Sequence, residues 1–224
     1  MVRKGFSLNI DYTVLSIFRS ATAAVIGLTV HEFAHAFAAY QLGDTTARDQ
    51  GRLTLNPMKH LNLVGFLLIV IAGFGWAKPV SFRSENLKRK YRDEVLIALA
   101  GPLSNFVIGI LFLVVARCLY FSAYFNTSFW GLIVVDTFLI WGVINFGLFV
   151  FNLIPIPPLD GSHIYTPILK DVNPGLLANL YRFGIQGLLI IIIIEKNSKL
   201  QLLPISRIVK FMADVCMNIL NFHK

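Results

Sequence analysis

Residues 28–40 read LTVHEFAHAFAAY, apolar enough for a membrane-crossing helix yet carrying His31, Glu32 and His35 at the centre. On a helix, positions i and i+4 share a face, so the two imidazoles can converge on one cation, and neutral histidines at this spacing suit zinc. Glu32, beside the first of them, can act as general base on water at that metal. A pair of histidines satisfied by helix neighbours is the bland alternative, because so short a motif recurs by chance. Ionisable groups inside a span, however, cost about 2.5 kcal/mol or more each, and call for a metal, a cavity or a partner in return. The stretch therefore points to a metal centre set in a membrane helix.

The rest of the chain fits that setting. Its 224 residues are 56% hydrophobic and 14% charged, against about 25% charged in soluble domains, and the mean hydropathy is +0.67. Apolar runs cover 14–40, 61–76, 95–121, 129–154 and 176–194. A span takes about 20 residues, so the expected fold is an all-α polytopic membrane protein of four to six transmembrane helices. The whole of 1–224 is read as one membrane domain, with a core over about 10–165 and C-terminal helices in 176–224. The tail 202–220 alternates apolar and polar residues at helical spacing, so it either spans or lies in the interface. The net charge of +8 comes from short loops between apolar runs, which favours a topological role over nucleic-acid binding. Cys118 and Cys216 lack CxxC spacing and read as packing residues. The opening MVRKG resembles a signal peptide, but the apolar run continues into the histidines without a small-residue cleavage site, so it is expected to be retained.

Two histidines leave a catalytic zinc one protein ligand short. The strongest third donor is Asp160, in NLIPIPPLDGSH at 152–163. Pro155, Pro157 and Pro158 cannot continue a helix, so an extended segment lining a cavity is expected there, with Asp160 presented to a facing helix. A solvated loop aspartate is the alternative. His60, His163 and His223 lack an i, i+4 partner and are weaker candidates. Gly101, Asn105 and Gly109 recur every four residues, a pattern that lets membrane helices touch. Asn145 reads as an interhelical hydrogen-bonding residue, and Asn152, close to Asp160, as an amide donor able to stabilise an oxyanion.

HEFAH, then AYQLGDTTARDQGRLTLNP, GFGWAKPV, AGPLSN and finally N-x-x-P-x-x-P-x-D-G, in this order, resemble the compact prokaryotic branch of the site-2 protease family of intramembrane zinc metalloproteases. The resemblance covers about residues 10–165. It implies one Zn2+ per chain held by His31, His35 and Asp160, with Glu32 as catalytic base and Asn152 helping to hold substrate or oxyanion. One departure stands out: Leu61-Asn62-Leu63-Val64-Gly65 follows NPMKH where that branch carries an Asp-Pro-hydrophobic-Gly run.

A shared ion constrains topology. His31 and His35 lie in the C-terminal half of the first span and Asp160 follows the fourth run, so both helices end on one side and 95–121 runs oppositely between them. Residues 41–93 then leave and return on one face, which makes 61–76 a short re-entrant or interfacial insertion between the first two full spans, accompanied by a β-hairpin around 51–57. Leu53, Thr54, Leu55 and Asn56 alternate as an edge strand would, and are the candidate substrate-binding residues by strand addition. Nine Lys and Arg lie in 41–93 and none in the opposite loop FSAYFNTS, which places the site toward the cytoplasm of a multi-pass cell-membrane protein.

The expected activity is hydrolysis of peptide bonds within or near transmembrane segments of membrane proteins in the lipid bilayer, single-span substrates being suggested by the resemblance. A metal or proton transporter built on the same residues, and a non-catalytic metal-bound scaffold, are the alternatives.

Overall fold

The computed structural model describes residues 14–72, 75–198 and 203–222. Four of its helices are long and apolar enough to cross a membrane: α1 (Val14–Gln41), α5 (Lys90–Tyr120), α7 (Phe129–Asn152) and α9 (Pro174–Asn197). Between them lie the short helices α2 (Thr46–Asp49), α3 (Pro57–His60), α4 (Leu63–Ala72), α6 (Ala123–Thr127) and α8 (Thr166–Val172), and α10 (Ile205–Ile219) follows α9.

Helix starts follow local chemistry. Ser128 accepts from the Gly131 N–H at the head of α7, and Asn173 from Leu176 at the head of α9, each satisfying a donor the first turn leaves free. At α5 the Asp93 carboxylate, one turn into the helix, reaches back to the Arg89 N–H at 2.9 Å, satisfying a donor at the helix start.

Helices α1, α5 and α7 pack against one another as the core. Trp141 in the middle of α7 donates to the Arg19 carbonyl on α1, whereas Gly27, two turns further along α1, faces Asn145 and Leu148, further along α7, and Asn105 of α5 donates to Gly27. His35, further along α1, reaches Ile97, earlier on α5. Helices α1 and α7 are thus parallel and α5 runs oppositely between them, as the shared-ion argument requires. Small residues set the spacing: a Cβ on Gly109 would lie 2.8 Å from the Phe146 ring. At the end remote from the histidines, Leu113, Ala116, Val135 and Leu139 close on Val209 and Ala213 of α10. At 15 residues, about 22 Å, α10 is too short to cross and packs sideways on α7 and α5. Helix α9 packs mainly on α8 and leaves its apolar surface outward.

Two expectations are corrected. The β-hairpin around 51–57 does not form, and no strand occurs among the described residues; Asn56 instead caps α3 by accepting from Met58 at 3.0 Å, with Pro57 at the first helical position. A short polar side chain bonding the nearby backbone displaces strand pairing there. The segment 155–160 is not extended either: Ile156 donates to Ile154, Leu159 to Ile156 and Ser162 to Leu159, a chain of tight turns that runs into a 3-10 helix, Asp160–Ile164.

Within 61–76 helix α4 has 10 residues, about 15 Å, shorter than a membrane crossing takes, and an antiparallel bridge joins Leu61 to Ala77.

Candidate metal centre

His31 and His35, one turn apart on α1, aim their Nε2 atoms at one point, 3.0 Å from each other. Asp160, at the start of the 3-10 helix beyond α7, brings Oδ2 to 3.1 Å from His31 Nε2 and 3.4 Å from His35 Nε2. Tetrahedral zinc with bonds of about 2.0–2.1 Å separates its ligand atoms by about 3.3 Å, so these spacings match three corners of that tetrahedron.

Proton positions argue for a cation there. Trp141 O and Gly27 O can only accept, so Asn145 Nδ2 donates to the first at 2.8 Å and Asn105 Nδ2 to the second at 3.0 Å. Asn105 Nδ2 also donates to Asn145 Oδ1 at 3.0 Å, which turns Asn105 Oδ1 toward His31 Nδ1 at 2.7 Å. His31 therefore carries its proton on Nδ1. His35 does the same, donating from Nδ1 to the Ile97 carbonyl at 2.7 Å. Both Nε2 atoms are left as lone pairs facing Asp160 Oδ2, itself buried without a hydrogen-bond partner. Three lone-pair atoms packed this closely repel unless a cation lies between them, and an oriented Nδ1–H donor is the usual support of a metal-bound histidine. The residues present fit a zinc ion.

The fit is tight on the α5 side. A Cβ on Gly101 would lie 2.7 Å from His31 Cε1 and nearer still to His35, so only glycine lets α5 approach the imidazoles. Glu32 is buried beside the cluster, and its Oε2 accepts the Val80 N–H at 2.8 Å, with Arg52 Nη2 at 4.0 Å.

The chain matches the family profile described as Peptidase family M50 over residues 20–194. It belongs to peptidase family M50, the site-2 proteases. It is 40% identical over 176 residues to "Putative zinc metalloprotease YwhC" of Bacillus subtilis, covering 76% of each chain. Rip2 of Mycolicibacterium smegmatis, described in the same words, is 32% identical over 174 residues, which cover 75% of this chain and 64% of Rip2. "Zinc metalloprotease MJ0392" of Methanocaldococcus jannaschii is 24% identical over 182 residues, covering 75% of this chain and 43% of its own. No solved structure matches. This M50 peptidase is a zinc metalloprotease of the membrane.

The remaining candidates fall elsewhere. Asn152 donates its amide to the Leu148 carbonyl one turn back at 2.9 Å, so an oxyanion role calls for another rotamer. Leu53, Thr54, Leu55 and Asn56 form a bend, with the Thr54 carbonyl accepting from His60 Nε2 at 2.7 Å and the Leu55 side chain exposed. His60, the last residue of α3, is fully buried against that bend. His163 packs on Phe82 with a buried, unpartnered Nδ1, and burial pushes its pKa down. Asn105 was legible as a member of a small-residue stripe but not as the acceptor that orients His31. Arg52 and Val80 were missed as neighbours of Glu32, since nothing in their spacing refers to α1.

Proposed function

We propose that this M50 peptidase cleaves membrane proteins within or near their transmembrane segments, with His31, His35 and Asp160 as zinc ligands and Glu32 as general base. The observation that carries the reading is the convergence of His31, His35 and Asp160 at one end of a core of apolar, membrane-length helices. Zinc, when bound, supplies Lewis acidity toward the scissile carbonyl and acidifies water. Glu32 takes the water proton on its carboxylate and returns it to the leaving amine. A helical substrate hides its carbonyls in i to i−4 bonds, so it unwinds before attack, and single-span proteins offer the simplest helix to unwind. The α4 excursion is read as re-entrant, and the basic charge of segment 41–93 supports a site on the cytoplasmic side of a multi-pass cell-membrane protein. A transport pathway would need polar groups through the full membrane depth, whereas these cluster at one end.

Purified full-length chain incubated with single-span peptides tests the reading. Glu32→Gln is expected to keep one zinc per chain and lose cleavage by at least about 100-fold. Equal fragment yields from wild type and Glu32→Gln would contradict it.

A further inference from the structure

Arg52 is 5% exposed, an unusual burial for an arginine unless it is paired. It sits just beyond α2, its backbone N–H donating to Ala47 at 2.8 Å, and its guanidinium points inward. One terminal nitrogen, Nη2, donates to the Lys78 carbonyl and lies 4.0 Å from Glu32 Oε2. That same carboxylate oxygen accepts the Val80 N–H. Between the two ties lies Pro79, which has no N–H to offer. The segment 78–80 is therefore fastened on either side of its proline, at Lys78 by Arg52 and at Val80 by Glu32, and the guanidinium joins both fastenings.

We propose that Arg52 is a positioning residue for Glu32, its guanidinium holding the carboxylate and the 78–80 segment as one unit beside the metal centre. The proposal rests on the assignment of Glu32 as base, but the geometry of the clamp does not. A buried carboxylate held only by one backbone N–H can rotate about its side-chain torsions; a second, charged contact on the same oxygen restricts it. Misplacement of a reacting group by about 1 Å costs about 100-fold. Lysine at 52 would keep the charge but not the planar guanidinium whose Nη2 lies between the Lys78 carbonyl and Glu32, so it should recover part of the effect.

The test compares full-length wild type, Arg52→Gln and Arg52→Lys for zinc content, for kcat and KM on a single-span peptide, and for hydrogen exchange of the Val80 amide. Expected for Arg52→Gln are one zinc per chain, a KM within about twofold, kcat down about 10- to 100-fold and Val80 exchange at least about 10-fold faster. Arg52→Lys should fall between it and wild type, and added guanidinium ion at millimolar concentration should restore part of the kcat of Arg52→Gln. Unchanged Val80 exchange overturns the clamp whatever the activity. Faster exchange with kcat unchanged overturns the positioning role, and zinc loss in both variants would make Arg52 a structural support of the ligands instead. If wild type itself shows no Glu32-dependent cleavage, the assignment of the base fails, and Val80 exchange still decides the clamp.

Discussion

Asn105 illustrates how one amide can set the chemistry of a metal ligand. With both carbonyl anchors fixed, its oxygen has no choice but to face His31 Nδ1, and that choice frees Nε2. Asn105→Leu removes the acceptor while nearly keeping the volume, and zinc affinity is expected to fall about 10- to 100-fold, measured by competition with a chromophoric chelator. Asp44 plays the corresponding part outside the membrane core. Fully buried just after α1, it accepts from Thr46, Asn86 and the Arg83 N–H, tying the end of α1 to the segment that leads into α5. Burial pushes its pKa up, but these hydrogen bonds outweigh it, and the net shift is downward from 3.8. The stabilisation it gives is thus complete above pH 3.8 and lost as pH falls below that value toward the folded pKa. Thermal denaturation at pH 7 should show Asp44→Asn destabilised by about 1–3 kcal/mol, a difference that shrinks in acid.

At the scale of elements, the contact of α5 with α1 depends on the missing side chain at Gly101. Gly101→Ala should lose zinc, because its Cβ would overlap both imidazoles, whereas Gly147→Ala on α7, where nothing lies within 4 Å, should retain it; metal analysis of the two purified variants separates these outcomes. The long helices were legible because unbroken apolar runs admit little else in a bilayer. The antiparallel placement of α5 was legible too, since ligands on separate helices must meet. The polar stretches were not. Alternation in Leu53 to Asn56 suggested a strand, but four residues carry too little periodic signal to outweigh an Asn-Pro pair that starts a helix turn. Three prolines suggested an extended chain before Asp160, yet proline is equally at home in tight turns. The ties of Glu32 on α1 to Arg52 and Val80 reach loops 20 and 48 positions further along the chain, so no pattern in the sequence could announce them.

Across the whole molecule, large apolar side chains face outward along the helix bundle, as Leu103, Val107 and Leu111 do on α5, and such a surface suits lipid rather than water. The proposed orientation makes a direct prediction: a cysteine introduced at Asn126, in a background lacking Cys118 and Cys216, is expected to react with an impermeant thiol reagent from outside the cell, and one at Ser84 only after the membrane is opened. What unites these features is the proposed sharing of a single ion between helix α1 and the turn that follows α7. Zinc stoichiometry and X-ray absorption of Asp160→Ala beside wild type examine that grip directly. Wild type should hold one zinc per chain with two histidine nitrogens and a carboxylate oxygen, and Asp160→Ala should lose the ion or the oxygen ligand; an unaltered zinc content and coordination in Asp160→Ala would contradict the shared centre.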